Sequence, residues 1–416
     1  MTDEQIHTLT TQYGTPLYVF DINVLRRRIA YLRNSLPGVR LCFAVKANPF
    51  LLQELRGFAD RFEVCSPGEA EICNRAHIPA AQQVISGVYK TPSVMEKMIA
   101  QGNGPRLFTV ESVRQFRLLS GLAEQYRKPI NVLLRLTSGN QFGMEEQEIV
   151  QLVQEREEYP LVCIRGIQFF SGTQKTSLKR LRRELEAVDT FVCALQETCG
   201  FTVQELEFGP GFPVNYFQGQ AFDEDAFLAG FSGLLAGLRC GARVTLELGR
   251  SIAASCGSYL TRVVDVKQNR GQNYAIVDGG MHQMVYYGQS MAMQHPQCRI
   301  YPPRSGDAEN WNLCGSLCTV NDILVKQLPV AGLKCGDVFA FGNTGAYCMT
   351  EGISLFLSRA LPRIVLLRAE GAPLLVREAL PTDRINTSHY ERMNHHGKAD
   401  YNFAEHASRR GFYLVP

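Results

Sequence analysis

An alternation of short apolar runs and segments of helical spacing fills residues 41–248 and constrains the fold more than any other feature. Eight runs rich in β-branched or aromatic residues are strand candidates: Leu41–Val45, Phe62–Cys65, Gln83–Ser86, Leu107–Val110, Ile130–Leu136, Cys163–Phe170, Glu205–Phe208 and Arg243–Leu248. Helical spacing marks the seven segments between them: Phe50–Ala59, Gly68–Ala76, Pro92–Gln101, Ser112–Tyr126, Glu145–Glu157, Leu178–Thr198 and Asp223–Leu238. Strict alternation predicts parallel strands joined by crossover helices.

Eight such units in about 210 residues match the number and size of a (β/α)8 TIM barrel. An open, doubly wound sheet shows the same alternation and is the alternative. After Ser255 the pattern changes to strands with few helices, at Tyr259–Lys267, Tyr274–Val277, Leu324–Leu328, Val338–Phe341, Ile364–Arg368 and Leu374–Glu378. This change predicts a β-rich second domain.

Composition excludes several classes of protein. The 416 residues hold 43 Lys and Arg against 40 Asp and Glu, a net charge of +3, so we expect no nucleic acid or membrane surface as partner. The first residues lack the apolar core of a signal peptide. Thirteen cysteines without a CxxC pair are typical of reduced thiols, so we expect a cytoplasmic protein. Residues 381–416 are polar, and their histidines have no partner at ligand spacing, which predicts a solvated tail and no metal site.

Polar residues follow several predicted barrel strands, at the end where TIM-barrel active sites lie. Lys46 ends the first strand after four apolar positions. A desolvated ammonium is costly, so this side chain either reaches the rim or forms a Schiff base. At the end of the last strand, Glu247 is an acid near the mouth, and Arg250 is suited to pair with a phosphate.

Glycines and an aromatic residue complete this set of strand ends. Gly209 and Gly211 follow the seventh strand, where they make either a tight turn or a phosphate site. Phe170 and Thr173 follow the sixth strand and offer a ring beside a hydroxyl group. Together with the amine and the acid, these groups meet the needs of pyridoxal 5'-phosphate, which are an imine partner, a stacking ring, phosphate donors and a carboxylate for the pyridine nitrogen.

These residues resemble the fold-type III pyridoxal-phosphate decarboxylases, the alanine-racemase-like barrel family that includes diaminopimelate and ornithine decarboxylases. FAVKAN, EVCSPGEAE, GPGFP, ELGR, VDGGM, CGSLCTVND and GDVFAFGNTGAY occur in the family's order between Gly14 and Leu367. The resemblance implies a cofactor-binding barrel over residues 22–255 and a β-domain formed by residues 1–21 and 256–380.

The resemblance also implies roles for individual residues. Lys46 would form the Schiff base and Glu247 would hold the pyridine nitrogen. The remaining residues expected at the cofactor are Phe170, Thr173, Gly209, Gly211, Gly249, Arg250 and Tyr347. Cys318 and Asp322 match residues that reach the active site of the other subunit, so the resemblance implies a homodimer with shared sites. Cys318 would protonate the carbanion after decarboxylation, whereas without the resemblance it is predicted to be a buried apolar cysteine.

Three departures from the family pattern concern the substrate. Phe170 stands where the family usually stacks a histidine on the cofactor ring. Tyr286 stands where diaminopimelate decarboxylases place an arginine for a substrate carboxylate, and Thr319 replaces the acidic residue that usually follows the catalytic cysteine. Tyr286, Thr319 and Asp322 are the residues expected at the substrate. Without the two charge partners, free diaminopimelate or ornithine would leave a charged group unpaired.

The set VDGGMH, LCT, FGM and SGTQ is similar to a branch whose known member, in butirosin assembly, decarboxylates glutamate held as a thioester on an acyl carrier protein. We therefore expect an amino-acid decarboxylase for a derivatised or carrier-linked amino acid. The alternatives are a decarboxylase of free diaminopimelate, lysine or ornithine, an amino-acid racemase on the same barrel, and a non-catalytic homologue. Lys46, Glu247 and Arg250 are all present, which disfavours the last.

Overall fold

Eight parallel strands close into a barrel in the computed structural model, which describes residues 1–101, 106–286 and 292–388. The barrel strands are β2 (Arg40–Ala44), β3 (Arg61–Val64), β4 (Gln83–Ile85), β5 (Leu107–Val110), β6 (Ile130–Leu136), β7 (Val162–Phe170), β8 (Glu205–Gly209) and β9 (Arg243–Leu248). Each strand pairs with the next in the chain, and β9 pairs with β2. The predicted barrel is confirmed, because an open sheet would leave two strand edges unpaired.

Helices surround the barrel and alternate with its strands. They are α2 (Ile22–Ser35), α3 (Leu52–Leu55), α4 (Pro67–Arg75), α5 (Pro92–Ala100), α6 (Val113–Tyr126), α7 (Glu146–Gln154), α8 (Leu178–Cys199), α9 (Glu224–Ala236) and α10 (Arg250–Ala253). Ser66, Ser112 and Ser177 begin α4, α6 and α8, and each hydroxyl accepts a hydrogen bond from a backbone N–H of the first turn. These caps place the helix starts at the carboxyl ends of the strands, beside the mouth.

Alternate residues of each barrel strand face opposite sides. In β3, Phe62 and Val64 pack in the main core between barrel and helices, while Glu63 faces the interior. At the amino-terminal end, Arg61 forms a bidentate ion pair with Glu205, and the hydroxyl of Thr245 donates to the same carboxylate at 2.8 Å. The barrel floor is thus closed by paired polar groups.

A second sheet confirms the β-rich domain. It contains β1 (Leu17–Asp21), β10 (Gly257–Asn269), β11 (Gln272–Val277), β12 (Cys298–Tyr301), β13 (Ala308–Cys314), β14 (Ile323–Ala331), β15 (Val338–Phe341), β16 (Arg363–Leu367) and β17 (Leu374–Arg377). The sequence analysis missed β1, β12 and β13. It also missed helix α1 (Asp3–Tyr13), which has a capping box between Thr2 and Gln5.

The two sheets meet beside the barrel mouth. The backbone N–H of Tyr347 donates to the carbonyl oxygen of Ala47 at 2.8 Å. The Nδ2 of Asn48 donates to the carbonyl oxygen of Gly345 at 2.8 Å. These bonds hold the turn that contains Tyr347 against the turn that follows β2.

Some expectations lie at or beyond the limits of the described chain. The tail expectation falls mainly on residues 389–416, outside the described residues, although Asp383–Asn386 forms the short helix α11. Within the described ranges, no helix is long and apolar enough to cross a membrane, and no group of three or more His, Cys, Asp or Glu is arranged to hold a metal ion. All thirteen cysteines are free thiols.

Candidate active site

Lys46 lies in the helical turn Val45–Ala47 that follows β2, with its ammonium between two carboxyl groups. Its Nζ forms a short ion pair with Glu63 and lies 3.7 Å from Oε1 of Glu247. Burial lowers the pKa of Lys46, but the charges of Glu63 and Glu247 outweigh it and hold this pKa well above its usual value. The amine is therefore an ammonium with two acids in position to take its proton.

Glu247 is a buried carboxyl near the end of β9. Its Oε2 accepts a hydrogen bond from Nε2 of Gln168 at 3.1 Å. Burial and the charge of Glu63 raise the pKa of Glu247 to about 7, and the Lys46 ammonium opposes them. A cation beside this carboxyl would favour its ionised form, so the environment fits a protonated pyridine nitrogen.

The sequence analysis missed several residues of this cluster: Glu63, Cys65, Gln168 and Glu207. Cys65 lies 3.4 Å from Nζ of Lys46 through its Sγ. The sequence does contain a signal for Glu63, because this acid lies between the apolar residues Phe62 and Val64 of a barrel strand. When these two neighbours face the helices, Glu63 has to face the barrel interior.

Two glycines bring backbone segments close together beside the mouth. Gly211 has a φ of +64°, and a Cβ there would lie 2.1 Å from the carbonyl oxygen of Gly172 and 2.9 Å from the Cα of Thr173. A Cβ at Gly249 would lie 2.8 Å from the hydroxyl of Tyr347. Such a glycine-lined cradle is the kind of site where backbone N–H groups bind phosphate.

Arg250 supplies positive charge to this corner. Its Nη1 donates to the hydroxyl of Tyr216 at 2.6 Å, and its guanidinium lies 4.6 Å from the ring centre of Tyr347. Tyr216 is a further residue that the sequence analysis missed. Among the predicted phosphate residues, Thr173 lies beside Gly211, and Gly249 and Arg250 lie beside Tyr347. Gly209 lies against Phe170. A guanidinium near glycines suits a phosphate.

Phe170 ends β7 and its ring lies against Gly209. A Cβ at Gly209 would lie 2.4 Å from the ring of Phe170, so a larger residue would displace the ring. The ring therefore packs over the end of β8 at Gly209. Its stacking on the cofactor stays a prediction.

Three further charged residues line the mouth at the ends of β4, β5 and β6, and sequence analysis missed them. Nη1 of Arg135 pairs with Oε1 of Glu111 at 3.0 Å, and both side chains are buried. Lys90 donates to the carbonyl oxygen of Gly87 at 2.9 Å. Burial lowers the pKa of Lys90 to about 8, and the charge of Glu111 opposes this.

Cys318 lies in the loop between β13 and β14 and is exposed. Asp322 anchors this loop. Its carboxylate accepts hydrogen bonds from the N–H groups of Met281 and Leu317, both at 2.8 Å. Asp322 is only 2% exposed, so its carboxylate is directed at the backbone of its own chain. The hydroxyl of Thr319 accepts from the N–H of Asn321 at 3.4 Å.

Tyr286 is buried among aromatic residues. Its hydroxyl donates to the carbonyl oxygen of Gly342 at 2.6 Å, and its ring packs on Tyr216 and Phe217. Only 1% of the residue is exposed. The site roles predicted for Tyr286, Thr319 and Asp322 toward a substrate stay predictions.

Known proteins are similar to this chain over most of its length. The family model described as "Pyridoxal-dependent decarboxylase, C-terminal sheet domain" matches residues 17–345. Diaminopimelate decarboxylase from Zymomonas mobilis is 26% identical, covering 90% of this chain and 92% of the relative. The L-glutamyl-[BtrI acyl-carrier protein] decarboxylase from Niallia circulans is 27% identical, covering 92% and 95%.

A third relative and a solved structure extend the comparison. The 2-[(L-alanin-3-ylcarbamoyl)methyl]-2-hydroxybutanedioate decarboxylase from Staphylococcus aureus is 25% identical, covering 84% of this chain and 93% of the relative. Diaminopimelate decarboxylase from Helicobacter pylori, complexed with L-lysine, shares the fold with a TM-score of 0.81 at 21% identity, covering 92% of this chain and 99% of that one. The chain belongs to the pyridoxal-dependent decarboxylases, carboxy-lyases that use pyridoxal phosphate on this barrel and sheet architecture.

Proposed function

We propose that this pyridoxal-dependent decarboxylase acts on an amino acid whose distal end is derivatised or linked to a carrier protein. The observation that carries the proposal is the environment of Tyr286, which stands where the resemblance places an arginine. Its single hydroxyl is used by the carbonyl oxygen of Gly342 inside an aromatic cluster. This position offers no cation to a free distal carboxylate, and such a group would lose hydration without a partner.

The names of two relatives support this substrate class. One acts on an L-glutamyl group of an acyl-carrier protein, and the other on an L-alanin-3-ylcarbamoyl compound. In both names the amino acid is attached to a larger group. Other relatives are named diaminopimelate decarboxylases, and these names support a free diamino acid as the alternative substrate class.

Side chains of the interior cluster carry the proton transfers. When bound, pyridoxal phosphate supplies the electron sink for the carbanion left by carbon dioxide. The Nζ of Lys46 has to lose a proton before it is a nucleophile, and the carboxylate of Glu63 is in contact to accept it. Glu247 would hold the pyridine nitrogen, and Phe170 would cover the ring.

The cradle binds and orients the cofactor. Gly209, Gly211, Gly249 and the side chains of Thr173, Arg250 and Tyr347 would hold its phosphate. Because Gly211 has no room for a Cβ against the backbone of Gly172, the loops after β7 and β8 stay at a spacing that only glycine permits. This spacing would let the cofactor bind without spending binding energy on ordering the loops.

The second half of the site comes from another copy of the chain. Cys318 is exposed on its loop, and among the described residues no hydrogen bond or ion pair joins this loop to Lys46 of the same chain. We infer a homodimer in which Sγ of Cys318 from the partner subunit delivers a proton to the carbanion. Replacement of Cys318 by Ala is then expected to keep the cofactor bound and slow turnover or divert it toward transamination.

The first test is carbon dioxide release by the cofactor-loaded protein. The substrates are free diaminopimelate, lysine, ornithine, arginine and glutamate. For glutamate and diaminopimelate, the free amino acid is compared with the thioester of its distal carboxyl on a phosphopantetheine-bearing carrier protein, which leaves the α-carboxylate free to depart. Release from the thioester alone supports the proposal. Good turnover of one free amino acid, without binding to the carrier in a pull-down, overturns the carrier-linked substrate and supports a free diamino acid decarboxylase.

The same samples separate the other two alternatives. A racemase would change the chirality of the amino acid without releasing carbon dioxide, which chiral chromatography detects. A non-catalytic homologue would show neither product nor the absorbance of bound cofactor.

A further inference from the structure

Two residues of the Lys46 cluster, on adjacent strands, carry buried polar atoms that have no hydrogen-bond partner among the described residues. Glu207 on β8 is fully buried, and neither of its carboxyl oxygens has a hydrogen-bond partner among the described residues. The same holds for Oε1 of Gln168 on β7, which is 2% exposed. Unpartnered buried polar groups cost free energy, so each calls for an explanation.

The strand register places these groups side by side. Gln168 is the direct neighbour of Glu207 in the parallel pair of β7 and β8, and Glu207 is the neighbour of Thr245 on β9. Glu247 follows Thr245 by two residues and faces the same side of the strand. Since Nε2 of Gln168 donates to Glu247 at 3.1 Å, the amide of Gln168 spans the strand that carries Glu207.

The surrounding charges favour a neutral carboxyl at Glu207. Glu247, Glu205 and Glu63 face it from β9, from its own strand and from β3, and the cation of Arg61 opposes them. Arg61 is already used in its bidentate pair with Glu205. Burial, followed by the charge of Glu247, raises the pKa of Glu207 well above its usual value.

A proton on Glu207 satisfies both unpartnered groups at once. An ionised carboxylate and an amide oxygen are both acceptors and cannot bond to each other, whereas a neutral carboxyl can donate to the amide oxygen. We propose that Glu207 carries a proton and donates it in a hydrogen bond to Oε1 of Gln168, which orients Nε2 of Gln168 toward Glu247. Glu207 is thereby a positioning residue for the carboxylate that faces the cofactor nitrogen.

The proton also decides which way the amide of Gln168 points. If Glu207 were ionised, Nε2 of Gln168 on the adjacent strand could donate to it only by turning away from Glu247, which would then lose its hydrogen bond. The protonated state therefore keeps Glu247 fixed, and the ionised state releases it.

The first test is thermal unfolding of the cofactor-loaded, full-length protein between pH 5 and pH 8.5, with Glu207→Gln compared with Glu205→Gln. An unfolded glutamate releases its proton above a pKa of about 4.3, whereas folded Glu207 keeps it, so the wild type loses stability as pH rises through this range. Glu207→Gln removes that loss, and its Tm is expected to exceed the wild-type Tm by a margin that grows with pH.

Glu205 is the matched control on the same strand. Its side-chain oxygens accept hydrogen bonds from Arg61 and Thr245, so Glu205→Gln is expected to lower Tm at every pH. A Glu207→Gln variant that is destabilised in the same way at every pH would overturn the proposal. If Glu207→Gln does not fold, the infrared spectrum of the wild type decides, because a neutral carboxyl band has to persist at pH 8.

The second test is the rate of cofactor release. Glu207→Gln keeps an N–H donor for Oε1 of Gln168, so its release rate is expected to stay within a factor of about two of the wild type. Glu207→Leu removes the proposed hydrogen bond to Gln168, and Gln168→Leu also removes the hydrogen bond to Glu247. Both variants are expected to speed cofactor release about tenfold. Equal rates of cofactor release for Glu207→Gln and Glu207→Leu would show that no hydrogen bond from residue 207 orients Gln168.

Discussion

Lys46 neutralises two acids of the barrel interior as well as supplying the reactive nitrogen. Its ammonium contacts Glu63 and lies 3.7 Å from Glu247, so both carboxyls depend on it for compensation of their charge. A buried carboxylate that loses its cation takes up a proton instead of remaining charged. Substitution at this residue therefore changes both chemistry and pH-dependent stability.

Lys46→Ala is expected to lower carbon dioxide release by a factor on the order of 10⁴ or more while leaving the fold intact. Without the cation, the pKa values of Glu63 and Glu247 rise, so the folded variant holds protons that the unfolded chain releases. Its deficit in Tm relative to the wild type should therefore increase from pH 5.5 to pH 8. Lys179→Ala, at an exposed lysine, is the control. If Lys46→Ala kept its activity, Lys46 would have no part in the mechanism.

At the scale of elements, loops determine the site while strands and helices hold it. The β13–β14 loop carries Cys318 on its exposed side and is anchored from within by Asp322. The loops after β7 and β8 approach each other at Gly211 and Gly172. Both features depend on close contacts with backbone atoms. Loss of the Asp322 carboxylate or addition of a Cβ at Gly211 would therefore disturb them.

Asp322→Ala leaves the N–H groups of Met281 and Leu317 without their acceptor. We expect a loss of about 2–3 kcal/mol in the free energy of unfolding, since each unsatisfied buried donor costs about 1–3 kcal/mol. Because the loop then no longer holds Cys318 in place, kcat should fall while cofactor affinity stays near wild type. Weakened cofactor binding with normal kcat would contradict this role.

Gly211→Ala combines a left-handed backbone with a collision against Gly172, whereas Gly219 has a φ of +75° and open space around its Cβ position. Both substitutions carry a backbone cost of about 1 kcal/mol. Only Gly211→Ala should also weaken cofactor binding, about tenfold or more, because the cradle has to open. Equal affinities in the two variants, measured by titration with the cofactor, would refute the close-approach argument.

At the scale of the whole molecule, the β-domain presents apolar side chains beside the Cys318 loop. The exposed residues are Val320, Ile353, Leu355, Phe356 and Leu357. The guanidinium of Arg359 ties this segment to the loop by donating to the carbonyl oxygen of Ser316 at 2.8 Å. Exposed apolar groups of this kind mark interaction surfaces, which supports the proposed homodimer.

Hybrid dimers test whether the two subunits share their sites. Lys46→Ala and Cys318→Ala chains are each impaired in a different half of the site. If one site takes Lys46 from one chain and Cys318 from the other, a hybrid dimer has one intact site of two, and random mixing restores about a quarter of wild-type activity. No recovery above the separate variants would show that each site is built from one chain.

Local patterns in the sequence predicted the barrel and its eight strands, which the structure confirms. The cradle residues were predicted mainly from the family resemblance, and their role stays a prediction. Each signal for the barrel is short-range, because it consists of apolar runs rich in β-branched or aromatic residues that alternate with segments of helical spacing. The strand β12 was missed because its four residues lie at the sheet margin, with little apolar patterning. Glu63 and Glu207 each lie between two apolar residues of a strand, a signal that the sequence analysis did not use. Which charges surround them depends on strands far apart in the chain.

Tertiary structure alone decided which side chains meet. The sequence shows Lys46, Glu63 and Glu247 as separate strand residues, and only closure of the barrel brings their charges together. Closure likewise decides protonation, because the pKa of a buried group depends on neighbours from other strands and on exclusion of water. Patterning of apolar residues therefore sets the fold locally, whereas the charge states that support catalysis arise only when the fold is complete.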